Sequence, residues 1–181
     1  MIDNDVLTRM RKDWDKRARE NAPHYIVNSS KEWKDRDFYR SGEINVANDI
    51  MPEMHRVCGG SRSPLDLTAL EIGCGVGRMT KMLARIFGHV TAVDVSKEMI
   101  DRARVNLADL HNVTLMLGDG ATLSAVPDES QDFAFSFIVF QHILTDVETR
   151  VDGDDVTNIL RHQVVPRGVR PLLPRNTINH S

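Results

Sequence analysis

LEIGCGVGRMT, from Leu70 to Thr80, decides the reading of this chain. An apolar run ends at Glu71 and Ile72, and glycines follow at 73, 75 and 77. Glycine has no Cβ, so such a loop turns tightly and lets a ligand approach the backbone. A helix beginning beyond the loop presents unpaired N–H groups. A dinucleotide fingerprint, G-x-G-x-x-G, would put its third glycine at 78, where Arg78 stands. A phosphate loop would need Gly-Lys followed by Ser or Thr, and the sequence has none.

The rhythm on either side sets the fold class. LDLTALEI (65–72) predicts a strand, and GRMTKMLARIF (77–87) a helix with Met79, Leu83 and Ile86 inward and Gly88 at its end. HVTAVDVS (89–96) predicts a second strand. KEMIDRARVNLADL (97–110) predicts a helix with Ile100, Ala103, Leu107 and Leu110 as its apolar stripe. NVTLMLGD (112–119) and DFAFSFIVF (132–140) predict the third and fourth strands. Strand and helix alternating in this way imply right-handed crossovers, a mostly parallel sheet and helices on both faces: a Rossmann-like, doubly wound α/β fold.

Before the sheet, residues 1–60 read as an N-terminal helical cap. A helix is predicted from about 4 to 20, with Leu7, Met10, Trp14 and Ala18 at helical spacing and Pro23 stopping it. A second spans 41–57, with Ser41 as N-cap, Val46, Ile50, Met54 and Val57 on one face, and Pro52 dividing it. Both tryptophans and both tyrosines precede residue 40, where they either pack this layer onto the domain or cap a pocket. CGGSRSP (58–64) is a turn-rich connector, so the α/β domain is placed at 61–142.

Composition limits the function classes. The chain has 181 residues, 41% hydrophobic and 27% charged, which suits one globular domain. A net charge of −3 gives no basic footprint for nucleic acid. No apolar run reaches the roughly 18 residues of a membrane helix, and the charged start has no signal-peptide core, so the cytoplasm is the expected location. Cys58 and Cys74 form neither a disulfide framework nor a metal cluster, and no metal is expected. Cys74 reads as a small filler in the loop.

Ligands of open α/β sheets bind beyond the carboxyl ends of the strands, where the strand order reverses. Three features fall there: Glu71 before the loop, Asp94 ending the second strand, and Gly118-Asp119-Gly120 ending the third. A carboxylate at Asp94 can accept hydrogen bonds from both hydroxyls of a ribose. Asp119 can take the exocyclic amine of a base. Taken singly, Asp94 could be a helix N-terminal acid and Gly118 a plain turn. Together, on successive strand ends, they point to a nucleoside ligand.

These motifs resemble the class I S-adenosylmethionine-dependent methyltransferases, in particular the small-molecule group. LEIGCGVGR is similar to that family's first motif, VTAVDVSKEMIDRAR to its second-strand acid and helix, and LGDGATLSAVPDESQDFAFSFIVFQHI to its third and fourth strands. DWDKRARENAPHYI resembles an N-terminal helix that many members carry. The resemblance implies S-adenosylmethionine as cofactor and a small-molecule methyl acceptor. It implies that Glu71 steadies the loop or the methionine amine, and that Gly73, Cys74, Gly75 and Gly77 face the methionine part. Asp94 would hold the ribose, with Val95 and Met99 against the adenine. Asp119 and Gly120 would recognise the adenine, and Ser136 and Phe137 would close the pocket. His142, after the fourth strand, is the candidate general base.

Beyond His142 the pattern departs from the family. Residues 143–181 hold three of the seven prolines, no convincing strand and no proline–glycine turn leading a fifth strand. They read as an atypical, poorly ordered tail, and the chain as truncated or altered after the fourth strand. The sheet is then incomplete on its C-terminal side, and the exposed fourth strand invites self-association. Two other readings stand beside methyl transfer: a non-catalytic fragment binding cofactor weakly or not at all, and an NAD(P)-binding oxidoreductase, against which Arg78 argues.

Overall fold

Four short parallel strands position everything else. In the computed structural model, which describes residues 4–127, 130–137 and 139, β1 is Thr68–Ile72, β2 His89–Asp94, β3 Val113–Leu117 and β4 Phe133–Ser136. The helices are α1 (Asn4–Ile26), α2 (Asp35–Asn45), α3 (Met54–Val57), α4 (Thr80–Ile86) and α5 (Lys97–Asn106). All strand pairs are parallel, in the order β3-β2-β1-β4. The chain winds outward from β1 to β3 and then returns to lay β4 on the other side of β1. This reversal makes the doubly wound, Rossmann-like pattern and puts the switch point at the ends of β1 and β4.

Register decides which side chains share a face. Ala69 lies opposite both Val90 and Phe133, and Glu71 opposite Ala92 and Phe135. That face meets α4 and α5 in one core containing Leu83, Phe87 and Ile100, all at most 1% exposed. Each such side chain contributes roughly 1.5–3 kcal/mol by leaving water. The Phe87 and Phe133 rings stack with centroids 5.5 Å apart. Val46, Ile50 and Met54 join the same cluster, so the N-terminal arm and the sheet share a core. Phe133, Phe135 and Phe137 are half-buried against it, although β4 is an edge among the described residues.

The described crossovers place helices on one face of the sheet; the chain beyond Val139 lies outside the described residues. Both β1-α4-β2 and β2-α5-β3 move the same way across the sheet, and right-handed crossovers in one direction put their helices on one face. Among the described residues, the return from β3 to β4 carries no helix.

Three boundaries differ from the sequence reading. The first helix does not stop at Pro23. It breaks at Asn21 (φ −166°, ψ 78°) and resumes to Ile26. The Asn21 side-chain oxygen Oδ1 accepts from the His24 N–H at 3.3 Å, capping a new turn in which the N–H that Pro23 lacks has no helical partner to lose. The second helix starts at Asp35, before Ser41, because Phe38 and Gly42 already form its buried stripe. Ser41 is mid-helix and donates its hydroxyl to the Phe38 carbonyl at 2.6 Å. A π turn over Val46–Ile50 and a 3₁₀ turn at Met51–Glu53 follow, with Pro52 dividing the arm as its sequence predicts. Finally, α4 begins at Thr80, and it ends because Phe87 turns extended (φ −95°, ψ 151°). Gly88 is needed for closeness: a Cβ there would stand 2.1 Å from the Leu65 carbonyl oxygen.

Candidate functional site

The glycine loop is held from behind by β2. The N–H groups of Gly73 and Cys74 both donate to the Val93 carbonyl, at 2.7 and 3.1 Å. Gly73, Gly75 and Gly77 all have positive φ (78°, 55° and 88°), a region that side chains with a Cβ rarely adopt. A Cβ on Gly77 would also come within 2.7 Å of Leu107 on the α5 side. The Cys74 side chain is buried, its thiol donates to the Gly75 carbonyl at 3.6 Å, and burial pushes its pKa well up. That is the environment of an inert filler.

Asp94 ties the loop to the end of β2. Its Oδ2 accepts from the Gly75 N–H at 2.8 Å and its Oδ1 from the Ser96 N–H at 2.9 Å. Burial raises its pKa, against the lowering effect of the Ser96, Gly75 and Val95 N–H groups. One hydrogen bond per oxygen leaves acceptor capacity on each, because a carboxylate has about four lone-pair sites. Behind it, Ser96 caps α5 by accepting from the Met99 N–H, and Asp15 of α1 accepts from the Ser96 hydroxyl at 2.5 Å.

A largely apolar cleft opens beside this loop. Of the expected residues, Gly73, Gly75, Asp94, Val95, Met99, Gly120 and Phe137 line it. Four others from α1 do as well: Met10, Trp14, Tyr25 and Ile26. The early aromatics therefore divide, since Trp33 packs edge-on to Phe38 while Trp14 and Tyr25 reach the cleft. Met10 carried no sequence signal beyond helical spacing, and Ile26 lay past the predicted end of the first helix.

The remaining expected residues lie elsewhere. Glu71 faces the core, 4% exposed, and accepts from the Thr80 hydroxyl at 2.6 Å. Burial pushes its pKa up to about 7, partly opposed by that hydrogen bond and by Arg78. Cys74 and Gly77 shape the loop from within and do not line the cleft. Asp119 is exposed, and its carboxylate accepts from the Ala121 N–H, the Thr122 N–H and the Thr122 hydroxyl at 2.6–2.8 Å. It folds the turn that brings Gly120, Ala121 and Thr122 to the cleft wall. The Ser136 hydroxyl donates to the Ile72 carbonyl at 3.1 Å, pinning β4 to β1. His142 and residues 143–181 lie outside the described residues. Among the described residues, no group of three or more His, Cys, Asp or Glu could hold a metal ion, and no helix is long and apolar enough to cross a membrane.

Residues 70–153 match the family described as "Methyltransferase domain". A protein-L-isoaspartate O-methyltransferase of Bradyrhizobium sp. (strain ORS 278) is 47% identical over 58 residues, 31% of this chain and 27% of that protein. A demethylmenaquinone methyltransferase of Staphylococcus saprophyticus is 33% identical over 94 residues, 50% of this chain and 36% of that one. The chain thus spans about a quarter to a third of these curated relatives. Among solved structures, Haemonchus contortus phosphoethanolamine N-methyltransferase 1, with phosphoethanolamine and S-adenosylhomocysteine, superposes with a TM-score of 0.66 at 16% identity, over 92% of this chain and 31% of that one. Magnesium protoporphyrin IX methyltransferase of Synechocystis PCC 6803, with bound SAM, does so at 0.58 and 17%, over 90% and 71%. At such identities the likeness is one of fold.

Proposed function

We propose that this chain is a class I S-adenosylmethionine-dependent methyltransferase, which binds S-adenosylmethionine in the glycine-loop cleft and directs its methyl group to a small-molecule acceptor; its match to a methyltransferase domain over residues 70–153 supports this. The observation that carries the proposal is Asp94. Its carboxylate lines the cleft at the switch point and, among the described residues, is hydrogen-bonded by backbone N–H donors alone, which leaves acceptor capacity on its oxygens. Two adjacent hydroxyls fit that vacancy better than a cation-seeking or anionic group would.

The rest of the cleft suits the same ligand. Val95 and Met99 offer apolar walls for a purine, and the turn built on Asp119 presents Gly120 beside them. Trp14, Tyr25 and Phe137 add ring surface to the cleft wall, with Arg17 over the first two and Arg78 over the third. When bound, the sulfonium supplies the electrophilic methyl, so the protein's work is to hold, orient and dehydrate. Asp94 fixes the ribose, and α1 shields the cleft from water through Trp14 and Tyr25; Val139 and Ile26 pack over Gly73 and Gly75, so a ligand reaches the loop backbone once those two side chains draw back. Glu71 acts through the loop: its bond to Thr80 anchors the start of α4 to the end of β1.

A small acceptor is supported by the names of matched proteins that act on such molecules, demethylmenaquinone and phosphoethanolamine among them. The test is release of S-adenosylhomocysteine from S-adenosylmethionine in the presence of acceptors bearing amine, carboxyl or phenolic groups. Turnover with one class, abolished by Asp94→Ala, is the expected result. Tight cofactor binding without turnover on any class would instead support the non-catalytic reading.

A further inference from the structure

Arg78 stands between two clefts. Its guanidinium carbon is 5.5 Å from the centroid of the Phe137 ring, which lines the cofactor cleft. Arg78 also lines a second cleft, between α2 and α4. Arg36 and Arg40 of α2 and Lys81 and Arg85 of α4 line it too, with Glu43 as the one acid among the lining residues. Among the described residues, five cations therefore meet one carboxylate here, in a chain whose net charge is −3.

The cleft's own partners do not neutralise this charge. Glu43 is taken by Arg85, at 3.3 Å, and the Lys81 ammonium lies 5.0 Å over the ring of Tyr39. Arg36 and Arg40, and again Lys81 and Arg85, stand four residues apart on their helices, a spacing at which like charges repel. Arg78 is only 3% exposed. One of its terminal nitrogens donates to the Ser41 hydroxyl at 3.1 Å and to the Asn45 side-chain oxygen at 2.8 Å, but among the described residues its Nε has no hydrogen-bond partner. A buried N–H left without an acceptor is costly, so Arg78 is held in place at a cost its two side-chain acceptors only partly offset. Glu71, on the sheet side, acts on Arg78 through space only, its Oε2 being bonded to Thr80.

We propose that this second cleft binds a compact oxyanion carrying two or more charges, the phosphoryl or pyrophosphoryl group of a small molecule. A single carboxylate would leave most of the cations facing one another. The planar forks of the arginines match phosphate oxygens. The cations are confined to single stretches of α2 and α4 and to Arg78 just before α4, whereas a nucleic-acid track needs a basic surface that continues along the strand. The site is separate from the methyl-transfer cleft and does not depend on that reading.

Isothermal titration of the full chain with inorganic pyrophosphate, at an ionic strength held constant with sodium chloride, tests it. Saturable one-site binding is expected. The double variant Arg36→Gln/Arg40→Gln should weaken it roughly a hundredfold, about tenfold per charged contact removed. Both arginines are exposed, so the variant's circular-dichroism melt should match the parent's. Binding no stronger than chloride's, or equal affinity in the variant, would overturn the proposal. Tighter binding of a short DNA duplex than of pyrophosphate, lost in the same variant, would also overturn it by making the surface a nucleic-acid one.

Discussion

Replacing Asp94 with Asn separates the two jobs of this carboxylate. In the parent, one oxygen accepts from the Gly75 N–H at 2.8 Å and the other from the Ser96 N–H at 2.9 Å. The amide keeps one acceptor oxygen and turns the other into a donor, so one backbone N–H is stranded at a cost of about 1–3 kcal/mol. Against this, the neutral amide removes a charge whose burial already raises its pKa. The two effects oppose each other, and a net loss of at most about 2 kcal/mol would lower Tm by roughly 4–8 °C in a chain of this size. Ligand binding has no such compensation. One hydrogen bond from a ribose hydroxyl to a charged acceptor is lost, worth about 1.5–3 kcal/mol, or roughly a 10- to 150-fold weaker Kd. Calorimetric titration with S-adenosylhomocysteine, paired with a circular-dichroism melt, reads both. An unchanged Kd in a variant that melts cooperatively would refute the ribose role and leave Asp94 as a clamp on the loop.

Two further perturbations have signs fixed by the structure. Glu71 ionises at about 7 in the fold rather than 4.5, because burial penalises its charge. Below pH 4.5 the carboxyl is protonated in both folded and unfolded chains. Between 4.5 and 7 only the unfolded chain releases the proton, so this group's contribution to stability declines by about 3 kcal/mol as pH rises. Glu71→Gln, whose amide oxygen can still accept from Thr80, should remove that decline; a parent stability that rises across this window, in urea melts at several pH values, would contradict the assignment. Gly42→Ala in α2 should destabilise, although helix propensity alone predicts a gain of about 1 kcal/mol. The added Cβ would lie 2.5 Å from the Arg78 carbonyl oxygen, forcing α2 off the glycine loop at an expected net cost of about 1–3 kcal/mol, read as a lower Tm.

The sheet was legible because its signals are local and redundant. Each strand is a short apolar run closed by a turn residue, and Ile100, Ala103 and Leu107 of the predicted stripe are buried as their spacing implies, whereas α5 ends at Asn106 and leaves Leu110 half-buried beyond it. The N-terminal arm was harder to read because its boundaries depend on partners distant in sequence. Asn21 caps a turn that Pro23 would otherwise forbid, and α2 starts at Asp35 because Gly42 must pass close to Arg78. In the site, Asp94 could be placed from its position at a strand end. The contributions of Met10 and Ile26 depend on how α1 lies across the sheet, which no local pattern encodes. Asp119 shows the converse: a motif residue was recognisable, but its carboxylate is absorbed by the Ala121 and Thr122 donors of its own turn.

The central claim is that the native chain binds S-adenosylmethionine through the Asp94 cleft, and a thermal-shift titration tests it most directly. A ligand that binds only the folded state adds about 2.7 kcal/mol at one hundred times its Kd, and the gain keeps growing with concentration. Tm should therefore climb with S-adenosylmethionine and with S-adenosylhomocysteine, and stay flat with NAD. A Tm indifferent to both, or one that climbs with NAD alone, would contradict the account.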